Sequence, residues 1–95
     1  MAGEPVVIRV GAGPVEDYAL EVAEAIGAGA ESVRLEAYGD AVCNAVDVAL
    51  ESSRRFNLEV ESVEIGRRRR GGKRRIWIRI SLCRRPKVGD GAPTR

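Results

Sequence analysis

The order of hydrophobic periodicities along this chain of 95 residues limits its fold more than any other feature. Two successive segments each combine a short strand pattern, a glycine-containing turn and apolar residues at helical spacing. Two further segments alternate apolar and polar residues, as half-buried strands do. The predicted strands cover residues 5–10, 32–38, 58–65 and 75–83, and the predicted helices cover 14–26 and 40–56. The order βαβαββ predicts an α+β fold of two layers, in which two helices cover one face of a four-stranded mixed sheet.

Individual residues indicate where these elements begin and end. Pro14 suits the first position of the first helix, because its missing N–H would be unpaired there. Asp40 is a good N-cap for the second helix, and Asn57 is expected to end that helix. The apolar positions of the third strand change phase near Glu61 and Ser62, which predicts a β-bulge.

The distribution of charge is the second strong feature. Residues 67–75, here called the arm, read Arg-Arg-Arg-Arg-Gly-Gly-Lys-Arg-Arg and hold seven positive charges. Residues 1–66 carry a net charge of −9 and residues 67–95 one of +11, so the total of +2 conceals a strong separation. We expect the arm to be a long loop at the tip of an extended hairpin between the third and fourth strands. Because like charges this close repel one another, a polyanion is the expected partner, most commonly a nucleic acid.

The composition argues against several other classes of protein. The sequence has no histidine, and its two cysteines, Cys43 and Cys83, lack the spacing of metal ligands and are expected to be free thiols. No nucleophile–base pair is evident, so we expect neither an enzyme nor a cofactor or metal site. No apolar run reaches the length of a membrane span, and a cytoplasmic protein is expected. We expect one domain over residues 1–84 and a flexible tail over 85–95.

Three features each have two interpretations. The turn at residues 11–13 has the spacing of a dinucleotide site, but Glu16 stands where the third glycine would be. A tight turn whose free N–H groups touch at most one phosphate is the simpler interpretation. Trp77 either stacks on a base or an arginine, or packs at an interface or at the edge of the core. Phe56, the only phenylalanine, packs either in the core or between subunits.

Three segments carry a resemblance to a known family. Residues 11–18 read Gly-x-x-Pro-Val-x-x-Tyr after a strand, residues 39–47 read Gly-x-Ala-x-x-x-Ala-Val-Asp, and residues 63–66 read Val-Glu-Ile-Gly. With the order βαβαββ, residues 6–84 resemble the Alba family of archaeal chromatin proteins. The resemblance implies a homodimer, or a heterodimer with a paralogue, that binds double-stranded DNA with little sequence preference and also binds RNA. It also implies a nucleoid-associated location and hairpin arms that reach along the minor groove.

The chain departs from the family pattern where other members have basic residues. Ala12-Gly13 replaces a Lys-Lys pair, and Tyr38 and Asp40 replace arginines beside the intervening glycine. The resemblance therefore implies a divergent, second-type paralogue whose positive charge lies mainly in the arm. The predicted nucleic-acid-binding residues are Arg67, Arg68, Arg69, Arg70, Lys73, Arg74, Arg75 and Arg79. Candidate contacts in the body, meaning the chain outside the arm, are Gly11, Ala12, Gly13, Arg34, Arg54 and Arg55.

The leading hypothesis is a dimeric chromatin protein that binds double-stranded DNA independently of sequence, with its arginine arms in the minor groove. One alternative is also a nucleic-acid-binding protein, but its ligand is RNA, so the chain would be an RNA-binding protein or a component of a ribonucleoprotein. Another alternative is a heterodimerisation module that modulates a lysine-bearing paralogue.

Overall fold

The computed structural model of the chain describes residues 4–85, and for Arg70 it describes only the backbone. These residues form strands and helices in the predicted order βαβαββ. The predicted tail lies outside the described residues, apart from Arg85. The strands are β1 (Val6–Arg9), β2 (Ser32–Tyr38), β3 (Leu58–Arg70) and β4 (Lys73–Arg84). The helices are α1 (Val15–Gly27) and α2 (Val42–Arg55), and a 3₁₀ turn at Gly39–Ala41 precedes α2.

The four strands form one mixed sheet in the order β1-β2-β4-β3. β1 is parallel to β2, whereas β4 is antiparallel to both of its neighbours. Both helices cover one face of the sheet, here called the helix face, and the opposite side is the open face. The alternation in β2 and β4 buries the helix-face residues in the core, together with Val22 of α1 and Val48 of α2. The buried strand residues are Val33, Leu35, Ala37, Ile78, Ile80 and Leu82.

This topology determines which segments lie near the arm. β1 and β2 end, and β4 begins, at the end of the sheet from which the arm extends. The β1–α1 turn at residues 11–13 and the turn at Gly39–Ala41 therefore lie at this arm end. The last turn of α2 lies at the opposite end, beside the first residue of β3, Leu58.

The arm is a continuation of the two strands, and the prediction of a long loop over residues 67–75 is wrong. β3 continues to Arg70 and β4 starts at Lys73, so only Gly71 and Gly72 form the turn. Their φ angles of +57° and +79° are those of a two-residue hairpin turn that glycine adopts without strain. Repulsion between facing cations costs only about 0.2–1 kcal/mol per pair, and long arginine side chains keep their charged ends in water. The backbone ladder therefore forms despite the charge.

The predicted element ends are partly confirmed. The register of β3 against β4 shifts between Val60 and Ser62, as the predicted bulge requires. Asn57 follows α2 with a φ of +57° and ends the helix, as predicted. The prediction that Asp40 caps the second helix is wrong, because α2 begins only at Val42 and has no side-chain cap. Gly39, with a φ of +57°, first turns the chain into the 3₁₀ turn that contains Asp40.

Candidate nucleic-acid interface

Facing pairs of basic residues build the arm. Arg68 pairs with Arg75, Arg69 with Arg74, and Arg70 with Lys73 across the two strands. At about 3.3 Å per residue, the ladder extends roughly 13 Å past Gly66. A projecting two-stranded ribbon of this kind presents a high density of positive charge along both of its faces.

Strand alternation divides the arm cations between two faces. Arg67, Arg69 and Arg74 lie on the side of Ile76, which continues the helix face. Arg68, Lys73 and Arg75 lie on the side of Trp77, which continues the open face. All six side chains are exposed. The arm can therefore contact anionic groups on both sides at once, as a ribbon between two phosphate backbones would.

No carboxylate of residues 4–85 lies within ion-pair distance of a described arm side chain; the four salt bridges found there all join residues outside the arm. The described part of the body is rich in acidic residues, yet none of their carboxylates pairs with a described side chain of the arm. Its cations are therefore not neutralised by the described part of the chain, which is the electrostatic state that binds a polyanion most strongly.

Arg79 differs from the other predicted contacts. It lies on the open face of the sheet, where its Nη1 donates to Glu64 Oε1 at 2.9 Å and its Nε lies 3.5 Å from Glu36 Oε2. The hydrogen bond to Glu64, more than any other interaction, raises the pKa of the Arg79 guanidinium above its ordinary value. Its charge is shared with two carboxylates, so less of it is available to a phosphate than the charge of an arm arginine.

The predicted turn at residues 11–13 lies at the arm end, but three of its backbone polar groups are already bonded within the chain. Asn44 Nδ2 donates to the carbonyl oxygens of Gly11 and Gly13 at 2.9 and 2.8 Å. The Gly13 N–H donates to the Tyr18 hydroxyl at 3.2 Å. Asn44 and Tyr18 therefore tie the turn to the helices beside the arm, and Gly13 has no free N–H to offer a phosphate.

The three candidate arginines of the body do not lie together with the arm. Arg34 is half-buried on the open face, 4.0 Å from Glu36. Arg54 and Arg55 are exposed in the last turn of α2, where Arg55 pairs with Glu51 at 2.9 Å. Since β3 starts beside that turn and runs to the arm tip, these two arginines lie roughly 40 Å along the strand from the tip.

The sequence profile of the Alba family matches residues 6–67. The chain belongs to the Alba family. Alba from Thermoplasma volcanium has a similar structure, with a TM-score of 0.77 and 26% identity over 82% of this chain and 99% of that one. ALBA1 from Trypanosoma brucei shares the fold, with a TM-score of 0.75 and 20% identity over 86% of this chain and 71% of that one. No curated protein matches the sequence.

Membership makes the chain an Alba-family nucleic-acid-binding protein, as the resemblance implied. In this chain the arm is the hairpin between the last two strands, and among the described residues it holds most of the positive charge that has no ion pair. Among residues 4–85, no three His, Cys, Asp or Glu side chains are grouped so as to hold a metal ion. Nor is any described helix long and apolar enough to span a membrane.

Several structural residues of this Alba domain were not identified from the sequence. Asn44 fastens the β1–α1 turn, and no pattern in a single sequence indicates that role. Gly66 allows the indole of Trp77 to lie over β3, since a Cβ at this position would be 2.6 Å from the ring. A glycine inside a strand is a signal of such close approach. Phe56 packs half-buried against the core, in agreement with one of its two interpretations.

The two cysteines are free thiols, as predicted. Cys43 is exposed on α2, and Cys83 is half-buried near the end of β4. Burial, reinforced by the nearby carboxylates of Glu61 and Glu59, raises the pKa of the Cys83 thiol. The raised pKa favours the protonated thiol over the reactive thiolate.

Proposed function

We propose that this Alba protein binds double-stranded DNA without sequence preference, and that it does so as a dimer with one arginine arm per protomer in the minor groove. The observation that carries the proposal is the arm itself, a two-stranded ribbon with seven cations in its sequence, whose six described basic side chains have no ion pair with a described carboxylate. Arginine fits the narrow, negative minor groove better than lysine because its guanidinium is less strongly hydrated. Six of the seven arm cations are arginines.

Binding by such an arm is driven by the release of counterions from the DNA. Each phosphate that a cation neutralises adds about 0.9 to the slope of log K against log salt concentration. The arm is not expected to read base edges selectively, because long, flexible arginine side chains can adapt to any pair of phosphates. Affinity without sequence preference is the consequence, as in packaging proteins that bind through the backbone.

The minor-groove part of the proposal is tested by occupying each groove in turn. Preloading the duplex with netropsin, a small minor-groove ligand, is expected to weaken binding about tenfold or more. The matched control is a duplex whose major groove is filled by glucosylated hydroxymethylcytosine, which should bind as the unmodified duplex does. The groove assignment would be overturned if binding to the glucosylated duplex were lost while binding to the netropsin-loaded duplex stayed unchanged.

An exposed apolar surface supports the dimer. Val63 and Ile65 lie on the helix face of the edge strand β3, opposite the buried Ile80 and Ile78, yet they are 56% and 64% exposed. Val46 and Leu50 add a second apolar row on α2; at 100° per residue they lie on the flank opposite Asn44, which faces the α1 side. A second copy of the chain offers the same apolar surface, so a two-fold interface would cover this surface on both protomers.

The dimer is tested by placing charges on that surface. The double substitution Val63→Asp and Ile65→Asp should give a monomeric mass by size-exclusion chromatography with light scattering. In a dimer, the introduced carboxylates would be buried against the same carboxylates of the second protomer. Leu20→Asp is the matched control, since Leu20 is equally exposed at 58% but lies on α1. A dimer that persists in the double variant, or that dissociates equally in the control, contradicts this interface.

A further inference from the structure

Two aromatic side chains lie next to each other on the open face, at the base of the arm. Tyr38 ends β2 and pairs directly with Trp77 of β4. Trp77 in turn faces Gly66 of β3, whose missing side chain lets the indole lie low over the strand. Both rings are half-buried rather than covered. The two aromatic side chains thus span three strands on the side of the sheet that the helices leave open.

An arginine lies over each of the two rings. The guanidinium carbon of Arg79 is 5.2 Å from the centre of the Trp77 ring, and that of Arg9 is 5.1 Å from the centre of the Tyr38 ring. Arg79 is fixed there by Glu64 and Glu36. Arg9 has no carboxylate of residues 4–85 within ion-pair distance, and its side chain is exposed. The guanidinium over Tyr38 is therefore free to move aside or to stack on a second planar group.

Tyr38 and Arg9 form one wall of a recess that the arm completes. The recess has a volume of about 310 Å³ and is lined by Arg9, Tyr38, Arg68 and Arg75. One side offers a ring and a guanidinium plane, on which nucleic-acid bases stack. The other side offers two arm cations for the phosphate of the same nucleotide. A base inside an intact duplex cannot present its face to such a surface, because both faces are already stacked on its neighbours.

We propose that this recess binds one unpaired base of a single-stranded or distorted nucleic-acid segment, with the base on Tyr38 and its phosphate between Arg68 and Arg75. The inference rests on the proposed function for the arm, which brings the nucleic acid to this face. It adds a second mode of contact, in which the arm holds the backbone and the open face accepts a base that leaves the stack. Duplex regions bind through the arm alone.

The test compares two single strands of equal length and charge, one of ordinary nucleotides and one of abasic nucleotides. The wild type is expected to bind the ordinary strand about tenfold more tightly, in line with stacking of one base. Trp77, the only tryptophan, is next to the recess and should lose fluorescence with the ordinary strand only. Equal affinities for the two strands would overturn the proposal, because binding would then depend on phosphates alone.

Two substitutions of Tyr38 assign the effect to the recess. Tyr38→Leu should abolish the preference for the ordinary strand, and Tyr38→Phe, which keeps the ring, should retain it. Circular dichroism melting of both variants verifies that they are folded. A blunt duplex, assayed in parallel, should bind Tyr38→Leu and wild type equally. An unchanged preference in Tyr38→Leu overturns the recess, whereas failure of the wild type to bind the blunt duplex overturns the arm.

Discussion

The arm and the body of this Alba protein both contain many arginines, and they use them differently. The described body has seven arginines, and six of them contact another group of the chain: Arg9, Arg34, Arg55, Arg79, Arg84 and Arg85. Arg84, for example, donates from Nη2 to the carbonyl of Ile26 at 2.8 Å, near the end of α1. The described arm side chains, in contrast, form no ion pair with a described carboxylate.

This difference shows that the availability of an arginine to a phosphate depends on its neighbours in the fold more than on how many arginines a region contains. Most body arginines hydrogen-bond to backbone carbonyls, pair with carboxylates or cover aromatic rings, so most of their charge is used within the fold. Arm cations face one another across the ladder, and the described ones have no ion pair within the fold. The body is therefore expected to determine stability and the arm to determine affinity for duplex DNA, and substitutions in each should separate the two properties.

The largest effect on stability is expected at Asn44. Asn44→Ala removes both hydrogen bonds that hold the β1–α1 turn and should lower the free energy of unfolding by about 2 kcal/mol. Chemical denaturation with urea measures the change. Ser53→Ala is the control, since it removes one exposed hydrogen bond within α2 and should cost less than about 0.5 kcal/mol. Equal stability of the two variants would show that the turn is not held by Asn44.

A smaller effect is expected at Gly66, where the arm joins the body. Gly66→Ala places a Cβ 2.6 Å from the Trp77 ring, which must move outward at a cost of about 1 kcal/mol. A change in tryptophan emission should accompany the loss of stability. Gly27→Ala, at the end of α1, meets no atom within 4 Å and should be neutral or slightly stabilising. A Gly66 variant with unchanged emission would contradict the close approach of the indole.

The smallest effect has the opposite sign and concerns the arm alone. Replacing Arg69 and Arg74 by Gln relieves one pair of facing like charges and should stabilise the free protein by about 0.5 kcal/mol at low salt. In 1 M salt the gain should disappear, because the Debye length falls to about 3 Å. Replacing Arg54 and Arg55 by Gln should instead destabilise slightly, since Arg55 pairs with Glu51 and both favour the helix end. Thermal melting at two salt concentrations distinguishes the stabilised arm variant from the destabilised body variant. An arm variant that is less stable than the wild type would contradict repulsion between the facing cations.

Periodicity predicted the body of the fold well, because strict alternation in β2 and β4 leaves one way to bury Val33, Leu35, Ile78 and Ile80. It failed in the arm, where seven cations mask the strand pattern and only the Gly71-Gly72 turn reveals a hairpin. The charge of the arm could be read from the sequence directly. The partners of Arg79 and the recess at Tyr38 could not, because both depend on which residues of different strands become neighbours in the sheet.

The dependence of DNA affinity on salt distinguishes the arm from the body most clearly. Log K against log salt concentration should be measured for the wild type, for an arm variant with Arg68, Arg69, Arg70 and Arg74 replaced by Gln, and for a body variant with Arg34, Arg54 and Arg55 replaced by Gln. The slope should fall by about 0.9 for each phosphate that is no longer neutralised, and by up to about 3.6 per protomer in the arm variant. The body variant should keep the wild-type slope. A wild-type slope in the arm variant, or an equal fall in the body variant, would contradict the assignment of DNA binding to the arm.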